Sequence, residues 1–144
     1  AYCRENLAGY KRPKSFDVVV STEVIEHVLA NEQQGFVDGL AEALRDGGHV
    51  VMTTPRGELH DTWRSSIDSE QPIEDWLTEF ELDTLLKASG LKVIARSRVM
   101  VYGITWWRRP LQLSVVRKLA ARFEALGAVV DRAGIYQVVL AQKR

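Results

Sequence analysis

The sequence predicts an α/β protein built on a mostly parallel sheet, and three observations support this class. Phe16–Ser21 (FDVVVS) and His49–Thr54 (HVVMTT) are short β-branched runs that are apolar on both faces, as in buried parallel strands. Between them, residues 32–44 predict an amphipathic helix with one apolar stripe. The stripe consists of Phe36, Val37, Leu40, Ala41 and Leu44. A strand, a helix and a strand with short connections form a βαβ unit, whose two strands are parallel.

Turn and cap signals bound these elements. Asp46-Gly47-Gly48 is expected to end the first helix, because glycine accepts the left-handed backbone of a helix end. Pro55 is expected to close the second strand. A capping box at Thr78-Glu79-Phe80-Glu81 predicts the start of a second helix, which ends at Gly90.

The rest of the chain completes the order β-α-β-loop-α-β-α-β. Residues 56–77 have weak periodicity and are interpreted as a loop or lid. Leu91–Tyr102 and Ile135–Ala141 are strand candidates, and residues 111–130 between them have helical spacing. We therefore predict a basic N-terminal arm at residues 1–14 and one domain at residues 15–144.

Composition excludes several classes of protein. The chain has 144 residues, of which 46% are hydrophobic and 26% charged, so it is neither a disordered nor a fibrous sequence. Its apolar runs are too short to span a bilayer, and residues 1–10 contain no apolar signal core. A single cysteine, Cys3, fits a reducing compartment, so we expect a cytoplasmic protein.

Charge is distributed unevenly although the net charge is zero. Residues 15–90 carry sixteen acidic and four basic side chains, whereas residues 91–144 carry two acidic and eleven basic ones. Either opposite faces neutralise each other, or a basic C-terminal face meets an anionic partner. The favoured interpretation of the Trp106-Trp107-Arg108-Arg109 patch is an aromatic pair in the core with solvated arginines, so nucleic-acid and membrane partners are not expected.

Chemically capable side chains follow the two predicted parallel strands, where ligands of open α/β sheets bind. Ser21, Thr22 and Glu23 follow the first strand. If a helical turn begins near Glu23, then Glu23, Glu26 and His27 share one face at i, i+3 and i+4. Two carboxylates and an imidazole can bind a cofactor, hold a metal or move a proton, or they can simply cap a helix start.

Three segments in order resemble the second half of class I S-adenosylmethionine-dependent methyltransferases, of the small-molecule and ubiquinone-pathway type. They are FDVVVSTEVIEHV, LRDGGHVVMTTP and WLTEFELDTLLKASGLKVI, within residues 15–102. The resemblance implies the C-terminal part of a Rossmann-like sheet, in which Tyr136–Lys143 is a final antiparallel strand.

The resemblance also implies residue roles. Ser21, Thr22 and Glu23 would lie beside the methionine end of S-adenosylmethionine. Glu26 and His27 would be catalytic, with His27 a base or orienting group at the mouth of the pocket for a small-molecule acceptor. Thr53-Thr54-Pro55 would lie beside the acceptor, and Trp76 would help to anchor the lid. No metal is expected.

The sequence departs from this family in two respects. It contains no E-x-G-x-G loop and no acidic residue at the place that holds the cofactor ribose. We therefore expect a partial methyltransferase domain that binds the cofactor weakly by itself. We also expect self-association, because half a sheet exposes an apolar strand edge.

Two other functions stay open at this point. The chain could be a non-catalytic interaction module that keeps the fold. It could also methylate an RNA 2′-hydroxyl with a metal held by Glu23, Glu26 and His27, with His60 as a further ligand. The first residues, CRENLAGYKRPKS, resemble a segment of acyl-adenylate-forming ligases and are interpreted as a basic surface arm.

Overall fold

The computed structural model describes residues 13–61, 74–100, 114–122, 127 and 131–144. Within these residues the chain forms strands and helices in the order that the sequence predicts. The elements are β1 (Phe16–Thr22), α1 (Gln33–Ala43), β2 (Leu44–Pro55), α2 (Glu79–Ala88), β3 (Leu91–Val99), α3 (Ser114–Ala120) and β4 (Tyr136–Lys143). Two 3₁₀ turns, Ile25–His27 and Gly57–Leu59, follow β1 and β2.

The four described strands form one sheet in the order β1-β2-β4-β3. β1 and β2 are parallel, with Val20 opposite Val51, which confirms the predicted βαβ unit. β4 lies between β2 and β3 and is antiparallel to both. Three strands therefore run in one direction and the last strand runs against them, as the resemblance implied.

One face of the sheet carries the core. Alternate residues of β2 point to it, and Val50, Met52 and Thr54 are each 1% exposed or less. α1 and α2 contribute the apolar side chains that pack on this face. From these helices the buried ones are Val37, Leu40, Ala41, Leu82 and Leu86. Of the stripe predicted for the first helix, Val37, Leu40 and Ala41 lie on the buried face of α1, Phe36 is partly buried, and Leu44 belongs to β2.

The opposite face of β1 is open to solvent. Val18 is 52% exposed and Val20 is 63% exposed, although both belong to the β-branched run that predicted a strand buried on both sides. That prediction is wrong for β1, because the described helices α1 and α2 cover one face of the sheet. β1 also ends the strand order, so one of its edges has no partner within the described residues.

Several predicted boundaries shift. α1 ends at Ala43, so Asp46-Gly47-Gly48 does not end it; instead β2 begins at Leu44. Gly47 has a φ of +77°, and the pairing with β1 changes register between Phe16 and Val18, so the glycines form an irregularity inside the strand. β3 ends at Val99 rather than at residue 102.

Other predictions fall wholly or partly outside the described residues. These are most of the N-terminal arm, the part of the lid at residues 62–73, the Trp106-Trp107-Arg108-Arg109 patch and most of the helix predicted at residues 111–130. Of that helix the structure gives Ser114–Ala120. In the part of the chain that is described, no helix has the length and apolarity needed to cross a membrane.

Candidate active site

The carboxyl ends of β1 and β2 place the predicted site residues at one edge of the sheet. Ser21 lies opposite Met52 and is buried, whereas Thr22 lies opposite Thr53 and is exposed. Because successive residues of a strand point to opposite faces, the last residues of β1 and β2 present polar groups on both sides of the sheet. The hydroxyl groups of Thr53 and Thr54, both in β2, contact the carboxylates of Glu23 and Glu26, respectively.

Glu23 leaves β1 in a left-handed backbone conformation, with a φ of +52°. Its backbone N–H donates to the Thr53 carbonyl oxygen at 3.0 Å, so the ladder between β1 and β2 continues through this residue. The Thr53 hydroxyl donates to Glu23 Oε1 at 2.7 Å. Left-handed non-glycine residues cost energy and concentrate at functional sites, so the exposed, anchored carboxylate of Glu23 is a strong candidate binding group.

Glu26 lies on the other side of the sheet and is 2% exposed. The Thr54 hydroxyl donates to Glu26 Oε2 at 3.0 Å. Burial raises the pKa of the Glu26 carboxyl above its ordinary value, and the negative charge of Glu23 adds to this increase. The pKa is raised even though hydrogen bonds and nearby His27 act in the opposite direction.

The prediction that Glu23, Glu26 and His27 share one helical face is wrong. The helix after β1 is a single 3₁₀ turn, Ile25–His27, and the left-handed Glu23 lies outside it. Glu23 binds a side chain of the open face, Glu26 binds one of the covered face, and His27 is exposed. Of the two apolar residues between Glu23 and Glu26, Ile25 is fully buried and Val24 is 36% exposed.

Gln33 holds the turn that carries Glu26, a role that the sequence analysis missed. Its side-chain amide lies 3.4 Å from the Ile25 carbonyl oxygen, 3.3 Å from that of Val28 and 3.3 Å from Asp75 Oδ2. The Asp75 backbone N–H in turn donates to the Glu26 carbonyl oxygen at 2.9 Å. A buried amide on an otherwise apolar helix face was the signal in the sequence, since such a group needs partners.

A cluster of charged side chains occupies the same edge of the sheet, farther along. Glu79 accepts hydrogen bonds from Arg98 at 2.6 Å and 2.7 Å and from Arg96 at 3.1 Å, and its carboxylate lies 2.9 Å from Arg56 Nε. Arg98 also binds Asp131 at 2.7 Å. Hydrogen bonds from Arg98 lower the pKa of Glu79 to about 2.

This cluster attaches the turn before β4 to the end of β2. Arg56 donates through Nη1 to the carbonyl oxygens of Arg132 and Gly134, at 3.1 Å and 2.9 Å. The sequence analysis missed the cluster, although two signals were present. The Arg96-x-Arg98 spacing places both arginines on one face of a strand, and the capping box places Glu79 at the first position of α2.

The segment before α2 packs closely on the turn after β2. The predicted capping box is confirmed, because the Glu81 backbone N–H donates to the Thr78 hydroxyl at 3.2 Å and the Glu81 carboxylate accepts from the Thr78 backbone N–H. A Cβ on Gly57 would lie 2.7 Å from the Trp76 carbonyl oxygen, so this approach requires glycine. The Trp76 ring meets His60 edge to face at 5.4 Å, and both residues lie in the described parts of the segment predicted as a loop or lid.

A metal site is not formed by the described residues. Within residues 13–61, 74–100 and the described parts of 114–144, no three His, Cys, Asp or Glu side chains lie together as metal ligands would. His60 contacts Trp76 and Asp61 rather than Glu23 or Glu26. The metal-dependent alternative therefore gains no support from the geometry.

The family comparison supports the class of protein that this fold and edge indicate. A family model described as a methyltransferase domain matches residues 3–96. The chain belongs to this methyltransferase domain family. No curated protein matches the chain at the level of sequence.

Solved structures share the fold at low identity. A 1,6-didemethyltoxoflavin-N1-methyltransferase from Burkholderia thailandensis, solved with bound 1,6-didemethyltoxoflavin and S-adenosylhomocysteine, is 16% identical with a TM-score of 0.59, and the match covers 95% of this chain and 48% of that one. An S-adenosylmethionine-dependent methyltransferase from Methanosarcina mazei is 15% identical with a TM-score of 0.63, and the match covers 96% of this chain and 65% of that one. The N-methyltransferase NodS of Bradyrhizobium japonicum, solved with S-adenosylhomocysteine, is 12% identical with a TM-score of 0.59, and the match covers 96% of this chain and 52% of that one. The chain thus spans about half to two thirds of these structures.

Family and fold confirm the resemblance to class I methyltransferases and agree with S-adenosylmethionine as the predicted cofactor. The residues present fit one end of such a molecule. The exposed Glu23 carboxylate and the Thr22 hydroxyl are groups that can bind the amino and carboxylate groups of an amino acid. The sequence contains no E-x-G-x-G loop.

Proposed function

We propose that the chain supplies the acceptor side of an S-adenosylmethionine-dependent methyltransferase that acts on a small molecule. Ser21, Thr22 and Glu23 lie beside the methionine end of the cofactor, and His27 faces the acceptor. The observation that carries the proposal is Glu23, a left-handed, exposed carboxylate fixed by Thr53 at the carboxyl edge of two parallel strands.

When bound, the cofactor supplies an electrophilic methyl group, so the protein has to position the acceptor and remove its proton. Glu23 would hold the methionine end of the cofactor by accepting hydrogen bonds from its amino group. His27, exposed at the same edge, is the proposed base for the acceptor's proton. Glu26, the preceding residue, is buried, and we assign it to the proton balance and position of this turn, in keeping with its raised pKa and its hydrogen bond to Thr54.

The experiment is an NMR titration of the full chain with S-adenosylhomocysteine, methionine and adenosine separately. S-adenosylhomocysteine and methionine are expected to shift the backbone amides of Ser21, Thr22 and Glu23. Adenosine alone is expected to leave these amides unchanged, because its side of the cleft would be formed by a glycine-rich loop. Glu23→Ala is expected to weaken methionine binding about tenfold, as for the loss of one charge-assisted contact.

His49→Gln is the matched control, because His49 lies in the middle of β2, away from Thr53, Thr54 and the residues that follow β1. It should bind methionine as the unaltered chain does. If millimolar methionine and S-adenosylhomocysteine shift none of the three amides, the proposal is wrong and the non-catalytic interaction module becomes the better description. A magnesium titration that raises the melting temperature would instead favour the metal-dependent alternative.

Self-association through β1 is a second part of the proposal. Support comes from Val18 and Val20, which are more than half exposed on a strand whose outer edge is unpaired within the described residues. Val20→Glu is expected to lower the mass measured by sedimentation equilibrium to that of one chain. Val115→Glu, at a 56% exposed valine of α3, should leave the mass unchanged. A single-chain mass before any substitution would refute this part alone.

A further inference from the structure

A cavity lies at the end of the sheet opposite the candidate active site. It has a volume of about 230 Å³ and lies between the end of α2, the start of β3 and the end of β4. The pairing of Leu91 with Lys143 places it near the amino end of β2, whereas Val99, paired with Tyr136, lies at the carboxyl end. Strand geometry separates the two ends by about 25 Å.

Positive charge surrounds this cavity. Lys87, Lys92 and Arg144 line it, and their side chains form no ion pair with the residues that the structure describes. The one acidic lining residue, Asp83, is already bound to Arg96. An anion placed here would therefore meet uncompensated cations rather than a balanced network.

Several other described cations are committed to protein partners. Lys14 and Arg45 are paired with Asp46 and Asp17, at 3.0 Å and 2.6 Å. Lys143, next to Arg144, donates to the Ala41 and Leu44 carbonyl oxygens at 2.7 Å and 2.8 Å. Lys87, Lys92 and Arg144 thus differ from these cations in having no ion-pair partner among the described residues, and Lys92 and Arg144 account for part of the basic excess of residues 91–144.

The remaining walls of the cavity consist of apolar side chains and of backbone groups that already have hydrogen-bond partners. Leu91 is 3% exposed and Val93 is half-buried, so the cavity offers carbon surface beneath its charged rim. The Lys87 carbonyl oxygen at the end of α2 accepts from the Gly90 backbone N–H at 3.1 Å, and the Arg144 backbone N–H donates to the Gly90 carbonyl oxygen. These bonds fix the turn that forms the wall and use carbonyl groups that would otherwise repel an anion.

We propose that this cavity binds a small organic anion, whose phosphate or carboxylate meets Lys87, Lys92 and Arg144 while its carbon body lies on Leu91 and Val93. An added peptide strand fits less well. β3 is an edge strand, but a register irregularity between Val93 and Ala95 and the charged Lys92 interrupt it, and such features discourage strand pairing.

The test titrates the full chain with phenyl phosphate, benzoate and inorganic phosphate, monitored by the amides of Gly90, Leu91 and Val93. Phenyl phosphate or benzoate is expected to shift these amides with saturation, and the stronger of the two identifies the anionic group. Inorganic phosphate should bind more weakly than phenyl phosphate, since it leaves the apolar floor unused.

The decisive variant is K87Q/K92Q/R144Q, in which all three cations are removed. Its affinity for the better ligand is expected to fall about tenfold or more, because each charge-assisted contact is lost. The matched control K118Q/R122Q/R132Q removes the same charge from exposed positions outside the cavity. Equal weakening in both variants, or no saturable shift with either organic anion at millimolar concentration, would overturn the proposal.

Discussion

The two faces of the sheet differ although the same strands form both. On the covered face, Val50, Met52 and Val139 are at most 1% exposed. On the open face of β1, Val18 and Val20 are more than half exposed. The side chains are of one chemical type, so the difference lies in what packs against them: α1 and α2 cover one face of the described sheet. The composition of a strand therefore indicates which of its side chains are suited to burial, whereas the position of the neighbouring helices determines which of them are buried.

The same contrast divides the two acidic residues of the site. Glu26 binds Thr54 on the covered face and is buried, so its pKa is raised. Glu23 binds Thr53 on the open face and is exposed. Two carboxylates three residues apart thus have different chemistry because consecutive threonines of β2 point to opposite sides. Burial suits a carboxyl that holds a proton, and exposure suits one that meets a ligand.

The largest effect is expected from truncating a side chain on the covered face. Leu86→Ala should lower the free energy of unfolding by about 3–4 kcal/mol, because it leaves a cavity in the core. Val20→Ala on the open face should change it by about 0.5 kcal/mol or less when measured at chain concentrations too low for the proposed self-association. Urea denaturation of both variants measures the difference. A Val20→Ala loss as large as that of Leu86→Ala would mean that the open face is covered in solution.

The next effect concerns Glu79, whose carboxylate is 16% exposed among three arginines. Its pKa is lowered from 4.5 to about 2, so its ionised form stabilises the fold at neutral pH. This contribution, about 3 kcal/mol at most, should be present above pH 4.5 and be lost as the pH falls towards 2. Glu79→Gln should lower stability at neutral pH and flatten that acid dependence in denaturation curves. An unchanged acid slope would show that Glu79 is not the group responsible.

A smaller effect is expected at Glu23, where a left-handed φ of +52° is held by a non-glycine residue. Glu23→Gly and Glu23→Ala both lose the side-chain hydrogen bond with the Thr53 hydroxyl. The difference in stability between the two variants therefore measures the cost of the backbone conformation alone. The glycine variant should be more stable than the alanine variant by about 1 kcal/mol, because only alanine has a Cβ that opposes this conformation. Thermal unfolding compares the two. Equal melting temperatures would indicate that Glu23 is not left-handed in solution.

The smallest change, and the one with the opposite sign, is expected for Glu26→Gln. The amide keeps an oxygen that accepts from Thr54 but removes the buried charge. Because burial raises the pKa of Glu26, the unaltered protein should lose stability as the pH rises from the ordinary carboxyl range through the raised value. The variant should therefore be more stable than the unaltered protein at about pH 8 and equal to it in acid. A less stable variant at about pH 8 would show that the charged form of Glu26 supports the fold.

Local signals in the sequence predicted much of the fold. The sequence predicted the apolar stripe of α1, the capping box at Thr78 and the parallel βαβ unit, because each depends on residues close together in the chain. The same interpretation placed Ser21, Thr22 and Glu23 at the carboxyl edge of β1. It failed for the shared face of Glu23, Glu26 and His27, because a 3₁₀ turn and one left-handed residue replaced the regular helix that the spacing assumed.

By itself, the sequence determined the order of the elements, the periodicity of their apolar faces and the polar residues that follow β1 and β2. Only the tertiary structure decided which carboxylate is buried, which residues meet Glu79 and which face of β1 contacts solvent. Glu79, Arg98 and Asp131 are brought together from distant positions, and Gln33 reaches Asp75 across the site. The physical reason is that spacing along a strand or helix fixes the direction of a side chain, whereas its partner depends on which elements pack together.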